Sequence, residues 1–381
     1  MERRRFLKSA GLGASALLAG CSAEDVSETT TTTEGSTTTE TTQGTTTGTT
    51  EGPQTLLVTT YQSFVDAPST SPGAWLKETF ESEYDATLEW FVPNNQLNYF
   101  LQRKQQGVTI DTDVYLGLTP ENLVHADSTL SSGSLFESVD TSGFENISHL
   151  KENFRFDPQD RAIPFGASFI SLVINQDMLD EQGVPAPETF EDLTKPEYKG
   201  SIICPNPQNS ETGLEFLFWT IMQYGEDGYL DYWKRLQEND IRILKSWGSA
   251  YAAYSNGEAP IVVSYSTDQV FADQYGEPLS KHQIGFLNNQ GYQYIEGMAR
   301  FAGTDKPDLA ADFMDFMLRA DVQSEVAVRN VANPVVDNAE LPADFEELTK
   351  EPEEPVGYGY EDLMGNVSGW LDAWGKQIAQ Q

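Results

Sequence analysis

Cysteine, histidine and basic side chains are scarce in this sequence of 381 residues. It has two cysteines, three histidines, and 23 lysine and arginine residues against 59 aspartate and glutamate residues. So few histidines and cysteines leave no clustered ligand set of the kind that zinc and iron–sulfur centres use. A glycine-rich phosphate-binding loop is absent as well. The sequence therefore predicts neither a bound metal nor a cofactor.

The shortage of basic residues gives the chain a formal net charge of −36. Residues 1–20 carry four basic side chains against Glu2, so their removal would lower the charge to −39. Such a surface is a poor partner for nucleic acid and for anionic lipid headgroups. Because the acidic residues are dispersed along the chain and lysine is scarce, the pattern is typical of a salt-adapted protein and not of a local acidic tail.

Long hydrophobic runs are also missing, and the only candidate lies at the N-terminus. Basic residues open the stretch "MERRRFLKSAGLGASALLAGC", and its apolar run is too short to span a bilayer. The segment "RRRFLK" resembles a twin-arginine export signature, and "LAGC" resembles a lipobox that ends at Cys21. We predict an export signal over 1–20 and a lipid on Cys21, an alternative being an ordinary secretory signal. Cys204 then has no cysteine partner, and we expect a buried thiol.

Aromatic residues are absent from 21–53, which consists almost wholly of Thr, Glu, Gly and Ser. A segment of this composition cannot bury a core, so we predict a disordered linker. As a flexible coil it would separate the lipid anchor from the folded domain by about 30 Å. This arrangement suits a tethered domain at a membrane surface.

The remaining chain, from residue 54 onward, is long enough for two lobes. Apolar strands such as "TLLVTT" alternate with amphipathic helices, which predicts an α/β fold with largely parallel strands. Ligands of such sheets bind at the carboxyl ends of the strands. Tyr61 and the turn at 117–119 occupy such ends, and Thr119 has the position of a helix N-cap before Pro120.

Aromatic side chains gather beside one further strand. Trp247 precedes the strand "APIVVSYSTD", which ends with Tyr265 and Asp268. Flat rings with a few polar groups suit the binding of a small molecule, and no adjacent base or metal site points to catalysis. Tyr251 and Tyr254 are three residues apart on the next helix, and we expect both to pack against the protein.

Seven segments, in order, resemble the thiamine-binding lipoproteins of ABC transporters, and with the acidic composition this resemblance implies a protein of a halophilic archaeon. They are "TYQSF", "DVYLGL", "IPFGASFISLVIN", "LTKPEYKGSIICPNP", "KSWGSAYAAYSNGEAPIVVSYSTD", "KPDLAADFMDFML" and "NPVVDNAELPADFEELTK". The resemblance implies a two-lobed periplasmic-binding-protein-like fold of type II, with a ligand cleft between the lobes. Two crossing hinge strands would lie near 165–175 and 291–301. Lobe one would comprise 54–165 and 292–381, and lobe two 166–291.

The resemblance also implies a set of ligand-binding residues. These are Trp247, Tyr265, Ser266, Thr267, Asp268, Ser210, Glu211, Asn95, Gln96, Tyr61 and Phe271. Trp247 would stack on the ligand, whereas Val331 stands where the family has a second tryptophan. Asp268 replaces a family serine and suits a cationic ligand or a helix N-cap. Ser210 could cap the following helix, or it could hydrogen-bond the hydroxyl of thiamine or the phosphate of a phosphorylated tail.

As such a protein, the chain would bind thiamine or its phosphates and deliver the ligand to a membrane permease with ATPase subunits. It would act as a monomer, anchored by its lipid to the outer face of the cell membrane. Polyamines, iron and sugars remain alternative ligands, although a consecutive tyrosine pair typical of iron carriers is absent. A thiaminase is an enzymatic alternative that would need Cys204 as nucleophile, and we expect His125 and His282 to be surface residues.

Overall fold

The computed structural model describes residues 52–67 and 70–379. The predicted export signal, Cys21 and all but the last two residues of the predicted linker lie outside this part of the chain. Of the helices within these two ranges, none has the length and apolar character needed to cross a bilayer.

Ten strands and thirteen helices make up the described part of the chain. The strands are β1 (Gln54–Thr59), β2 (Ala86–Phe91), β3 (Val114–Leu118), β4 (Ala162–Ile174), β5 (Ile202–Pro205), β6 (Arg242–Leu244), β7 (Ile261–Tyr265), β8 (Gln283–Gly285), β9 (Gln290–Arg300) and β10 (Glu354–Val356). The helices are α1 (Gln62–Val65), α2 (Gly73–Glu83), α3 (Leu97–Gln105), α4 (Pro120–Thr129), α5 (Gln176–Gln182), α6 (Glu211–Glu238), α7 (Trp247–Ser255), α8 (Asp268–Tyr275), α9 (Pro307–Met317), α10 (Ala320–Asn330), α11 (Ala343–Leu348), α12 (Tyr360–Leu363) and α13 (Val367–Ile378). The predicted α/β class is confirmed.

The strands form one mixed sheet in the order β2-β1-β3-β9-β4-β7-β5-β6. Strand β1 pairs in parallel with β2 and β3, and β5 pairs in parallel with β6 and β7. Antiparallel pairing of β9 with β3 and of β4 with β7 joins the two parallel groups at the centre. Each group is built from strand–helix units, so the carboxyl ends of its strands meet at one edge.

Strands β4 and β9 are the longest in the sheet and pair with each other in antiparallel fashion. All 13 residues of β4 are buried, which accounts for its nearly continuous apolar sequence "AIPFGASFISLVI". The register runs from Ala162 opposite Ala299 to Ile170 opposite Tyr292. Strand β4 also pairs with β7 over residues 170–174, and β9 also pairs with β3, so the β4–β9 pair connects the two parallel groups. That the two strands are crossing hinge strands stays a prediction.

Helix α6 lies between β5 and the C-terminal helix α13. Its 28 residues are interrupted at Gly225, whose backbone is not helical. Trp233 of α6 packs edge-to-face on Trp374 of α13 at 5.3 Å between ring centroids, and the Tyr229 hydroxyl donates to the carbonyl of Trp370 at 3.3 Å. These aromatic contacts hold the C-terminal helix on α6.

Two local predictions from the sequence are confirmed. The Thr119 side chain accepts a hydrogen bond from the backbone N–H of Asn122, so it caps α4 ahead of Pro120. Cys204 is a free cysteine in β5 and is fully buried. Burial raises the pKa of its thiol because the charged thiolate is costly in an apolar surrounding.

The first turn of α6 lies against the end of β5 with no room for a side chain at Gly213. A Cβ placed there would lie 2.2 Å from the carbonyl oxygen of Pro205, so the helix would have to move. We expect Gly213→Ala to lower the free energy of unfolding by about 1–3 kcal/mol. Gly248→Ala is the matched control, because a Cβ at that helical position meets nothing within 4 Å. Denaturant unfolding of both variants checks this, and equal stabilities would contradict the close contact.

Candidate ligand-binding site

A cleft of about 470 Å³ opens where the ends of the two parallel groups face each other. Eight of the eleven predicted ligand-binding residues line it: Tyr61, Gln96, Glu211, Trp247, Tyr265, Thr267, Asp268 and Phe271. They lie at the end of β7 or in the loops and first helical turns that follow β1, β2, β5, β6 and β7. The loops bring together residues that lie up to 210 positions apart in the sequence.

The structure does not bring Asn95, Ser210 and Ser266 into the lining of this cleft. Asn95 is exposed in the loop before α3. Ser210 has the N-cap position of α6, but its side chain makes no capping hydrogen bond. Ser266 is fully buried, and its backbone N–H donates to the carbonyl of Phe169 at 2.9 Å.

Four aromatic rings form a continuous wall on one side of the cleft. Trp247 lies 5.2 Å from Tyr251 and 6.0 Å from Tyr265, measured between ring centroids. Tyr265 in turn meets the ring of Tyr294 edge-on at 5.1 Å. These spacings are typical of interacting aromatic side chains. Tyr251 lines the cleft and, as expected, also packs against the protein, on the buried cluster that contains Tyr254.

Trp247 is held in place while part of its ring stays open to a ligand. It begins α7, and Ser246 before it caps the helix by accepting from the Ser249 N–H. The indole Nε1 donates to the Ser264 hydroxyl at 2.9 Å. With 38% of its surface exposed, Trp247 is one of the few large apolar side chains of the described residues that face solvent. A fixed and open ring face suits stacking on a flat ligand.

Glu296 is a buried carboxylate at the floor of the cleft. It lies on β9, is 4% exposed, and accepts hydrogen bonds from the Tyr61 hydroxyl at 3.2 Å and from Asn330 at 3.5 Å. No lysine, arginine or histidine of the described residues forms a salt bridge with it. Burial raises the pKa of Glu296 to about 7, because the ionised form is poorly solvated there.

Asp268 is fixed by two partners and does not cap its helix. It is the first residue of α8, and its carboxylate accepts from the Tyr251 hydroxyl at 2.7 Å. The other oxygen lies 2.6 Å from Nδ1 of His282. His282 is 7% exposed, so the expectation of a surface histidine was wrong. No local pattern in the sequence indicates this burial. It results from the pairing of β8 with β4, which brings the adjacent His282 close to α8.

Glu211 brings a third carboxylate to the cleft from the first turn of α6. Its Oε1 accepts from the side-chain amide of Asn122 on α4 at 2.6 Å. Burial, with the nearby charges of Glu121 and Glu296, raises the pKa of Glu211 to about 8. The Glu211–Asn122 hydrogen bond therefore links a helix of one parallel group to a helix of the other.

Sequence reasoning missed Tyr294, Glu296 and Asn330, all of which line the cleft. An acidic residue inside the otherwise buried strand "YQYIEGMAR" was the one available signal for Glu296. Val331 also lines the cleft, and it has a left-handed backbone with φ of 53° at the end of α10. It presents an aliphatic surface where the family resemblance implies a second tryptophan.

Within residues 52–67 and 70–379, no group of three or more histidine, cysteine, aspartate or glutamate side chains is arranged to hold a metal ion. Cys204 does not line the cleft. The lining instead combines aromatic faces, carboxylates and amides, a set suited to a flat, positively charged small molecule.

Comparison with known proteins agrees with this geometry. The thiamine-binding periplasmic protein of Escherichia coli is 26% identical over 328 residues, which cover 85% of this chain and 94% of that protein. The spermidine/putrescine-binding periplasmic protein of Escherichia coli is 24% identical over 205 residues, or 51% of this chain and 56% of that one. A solved structure of a periplasmic thiamin binding protein superposes with a TM-score of 0.73 at 24% identity, covering 86% of this chain and 96% of that chain.

These similarities confirm the resemblance predicted from the sequence and the two-lobed, type II architecture with its cleft. A family model described as bacterial extracellular solute-binding protein matches residues 127–351. Since that match spans more than half of the chain, the chain belongs to the family of bacterial extracellular solute-binding proteins.

Proposed function

We propose that this chain is the solute-binding subunit of an ABC importer and that it captures thiamine in its cleft. The observation that carries the proposal is that the open face of Trp247 lines the same cleft as the buried carboxylate of Glu296, which has no salt-bridge partner among the described residues. The relatives named as thiamine-binding proteins supply the choice of ligand.

Thiamine has the chemistry that this lining would recognise. Its two flat rings offer faces for stacking, and its thiazolium carries a permanent positive charge that aromatic faces attract. A buried cation also needs a carboxylate, since an unpaired charge is costly to remove from water. Glu296 fills this role, and Gln96 supplies an amide for the aminopyrimidine edge.

Capture would proceed by closure of two lobes around the ligand. The lobes comprise 54–165 with 292–381 and 166–291, and the long strands β4 and β9 would serve as the hinge. The closed protein would then dock on a permease whose ATPase subunits drive import. A lipid on Cys21 and the linker over 21–53 would keep the protein, acting as a monomer, at the outer face of the membrane.

A polyamine is the second candidate ligand. The similarity to the spermidine/putrescine-binding protein favours it, as do the carboxylates of Glu211, Asp268 and Glu296 along the cleft. A flexible aliphatic polycation would use these charges but would gain less from a continuous aromatic wall than a flat ring does. Direct comparison of the two ligands therefore separates the candidates.

Thermal unfolding of the full chain in molar potassium chloride tests the proposal. Excess thiamine is expected to raise the unfolding midpoint by binding only the folded state, whereas spermidine, ferric iron and maltose are not. Trp247→Ala removes the stacking face and is expected to weaken thiamine binding by about tenfold to thirtyfold. Met222→Ala, which removes an equally exposed apolar side chain outside the cleft, is the matched control and should bind normally. A midpoint raised by spermidine but not by thiamine would replace the first candidate with the second.

A further inference from the structure

The start of α6 is where a phosphate group on the ligand would be expected to bind. The N-terminus of a helix offers free backbone N–H groups and a positive dipole end to an anion. In this cleft, however, the first helical residue is Glu211, whose side chain lines the cavity. Its position is fixed by the 2.6 Å hydrogen bond from Asn122. A carboxylate therefore occupies the space in which a phosphate would meet the helix.

The rest of the cleft lining has little positive charge with which to balance a bound anion. Arg329 is the only basic residue among the described lining residues. Its Nε donates to Glu325 at 2.9 Å, and its guanidinium lies 5.7 Å from the ring centre of Trp75. Glu296 adds a second carboxylate on the floor of the cleft. Once Glu211 and Glu296 are ionised, a phosphate in this space would meet negative charge on two sides and a cation that already has partners.

From this arrangement we propose that the cleft selects the unphosphorylated thiamine cation over its phosphate esters, and that the Glu211 side chain sets this preference once it is ionised. The inference rests on the proposed function, since it assumes that thiamine is the ligand. It narrows the ligand class from thiamine and its phosphates to the vitamin without phosphate.

Titration of Glu211 gives this inference a specific pH signature. The ionisable groups that surround its carboxyl are Glu121 of α4, Glu215 of α6, Glu296 and Tyr294 of β9, Tyr265 of β7 and Tyr115 of β3. All of them are neutral or negative, and the closest contact is the neutral amide of Asn122. A bound phosphate must therefore keep Glu211 protonated, which becomes harder as the pH rises through about 8.

The two ligands should respond to pH differently. A phosphate monoester is already doubly ionised above about pH 7, because its second pKa is about 6. Its own charge then stays constant while Glu211 loses its proton. The ratio of the monophosphate Kd to the thiamine Kd is expected to rise about tenfold between about pH 7 and about pH 9. In Glu211→Gln this ratio should stay constant.

The experiment is calorimetric titration of the full chain with thiamine, thiamine monophosphate and inorganic phosphate at both pH values. Glu238→Gln, at the far end of the same helix, is the matched control and should keep the pH-dependent ratio. Thermal unfolding without ligand checks that the Glu211→Gln variant is folded. A ratio that does not change with pH in the parent chain, or binding of the monophosphate that is tighter than that of thiamine at about pH 9, would overturn the inference while leaving thiamine binding intact. Failure of every ligand to bind would instead contradict the proposed function, and the inference with it.

Discussion

Glu296→Gln is expected to make the ligand-free protein more stable near about pH 8, by about 2–3 kcal/mol. The pKa of this buried carboxyl is raised from 4.5 to about 7, so the folded state binds the proton more tightly than the unfolded state does. The stability gained in this way is complete below about pH 4.5 and is lost as the pH rises through about 7. A neutral glutamine avoids that loss. It can still accept from Tyr61 through its carbonyl oxygen.

The same substitution is expected to weaken thiamine binding by about tenfold to a hundredfold, because the cation loses its buried counter-charge. In the parent chain, affinity should rise about tenfold between about pH 6 and about pH 8 as Glu296 ionises. The variant should show no such rise. A gain in stability with a loss of affinity would show that the charge of Glu296 is kept for binding.

Urea unfolding at about pH 4 and about pH 8, with thiamine titrations over the same range, measures both effects. Glu89→Gln is the matched control, since Glu89 is exposed on β2 and outside the cleft. It should change neither stability nor affinity. A Glu296→Gln variant that is destabilised equally at both pH values would mean that the carboxyl serves packing and hydrogen bonding alone.

Arg161→Met is expected to lower the free energy of unfolding by about 3–5 kcal/mol. The Arg161 guanidinium donates to Asp157 at 2.9 Å and to Asp127 at 2.8 Å, and its side chain is 5% exposed. Asp127 also accepts from the Tyr360 hydroxyl at 2.6 Å. Removing the arginine leaves the fully buried side chain of Asp157 without a counter-charge. The network joins the start of β4 to α4 and α12, so its loss would loosen one end of this strand.

Chemical denaturation of Arg161→Met and of two further variants isolates this effect. Arg155→Ala removes an exposed ion pair with Glu152 and should cost less than about 1 kcal/mol. The double variant Arg161→Met with Asp157→Asn removes both charges and should recover part of the loss. If Arg161→Met and Arg155→Ala cost the same, the buried network contributes nothing beyond a surface pair.

Local sequence signals predicted those parts of the fold and site that depend on neighbouring residues. The apolar strand that ends at Tyr265, with Trp247 at a helix start before it, is a short-range pattern, and both residues line the cleft. Thr119 and Pro120 are a local capping signal that the structure follows. The alternation of strands and helices, which is also a pattern of neighbouring segments, predicted the α/β class.

The rest of the site depends on contacts between distant parts of the chain. Glu296 and Tyr61 are 235 residues apart, and their hydrogen bond exists because β9 is inserted between β3 and β4. His282 reaches Asp268 through the pairing of β8 with β4. The sequence pattern alone does not say which strand lies beside which, so it indicated neither contact. Ser266 was predicted to bind the ligand together with its neighbours in the sequence. Those neighbours line the cleft, but the side chain of Ser266 is buried.

The most direct measurement is a calorimetric titration of the full chain with thiamine at about pH 7, repeated in two buffers of different ionisation enthalpy. Capture of the cation by Glu296 predicts one thiamine bound per chain, with release of up to about half a proton from this side chain, because the bound charge favours the ionised carboxylate. Binding with no release of protons would contradict the role of Glu296. No binding at all would contradict thiamine as the ligand of this cleft.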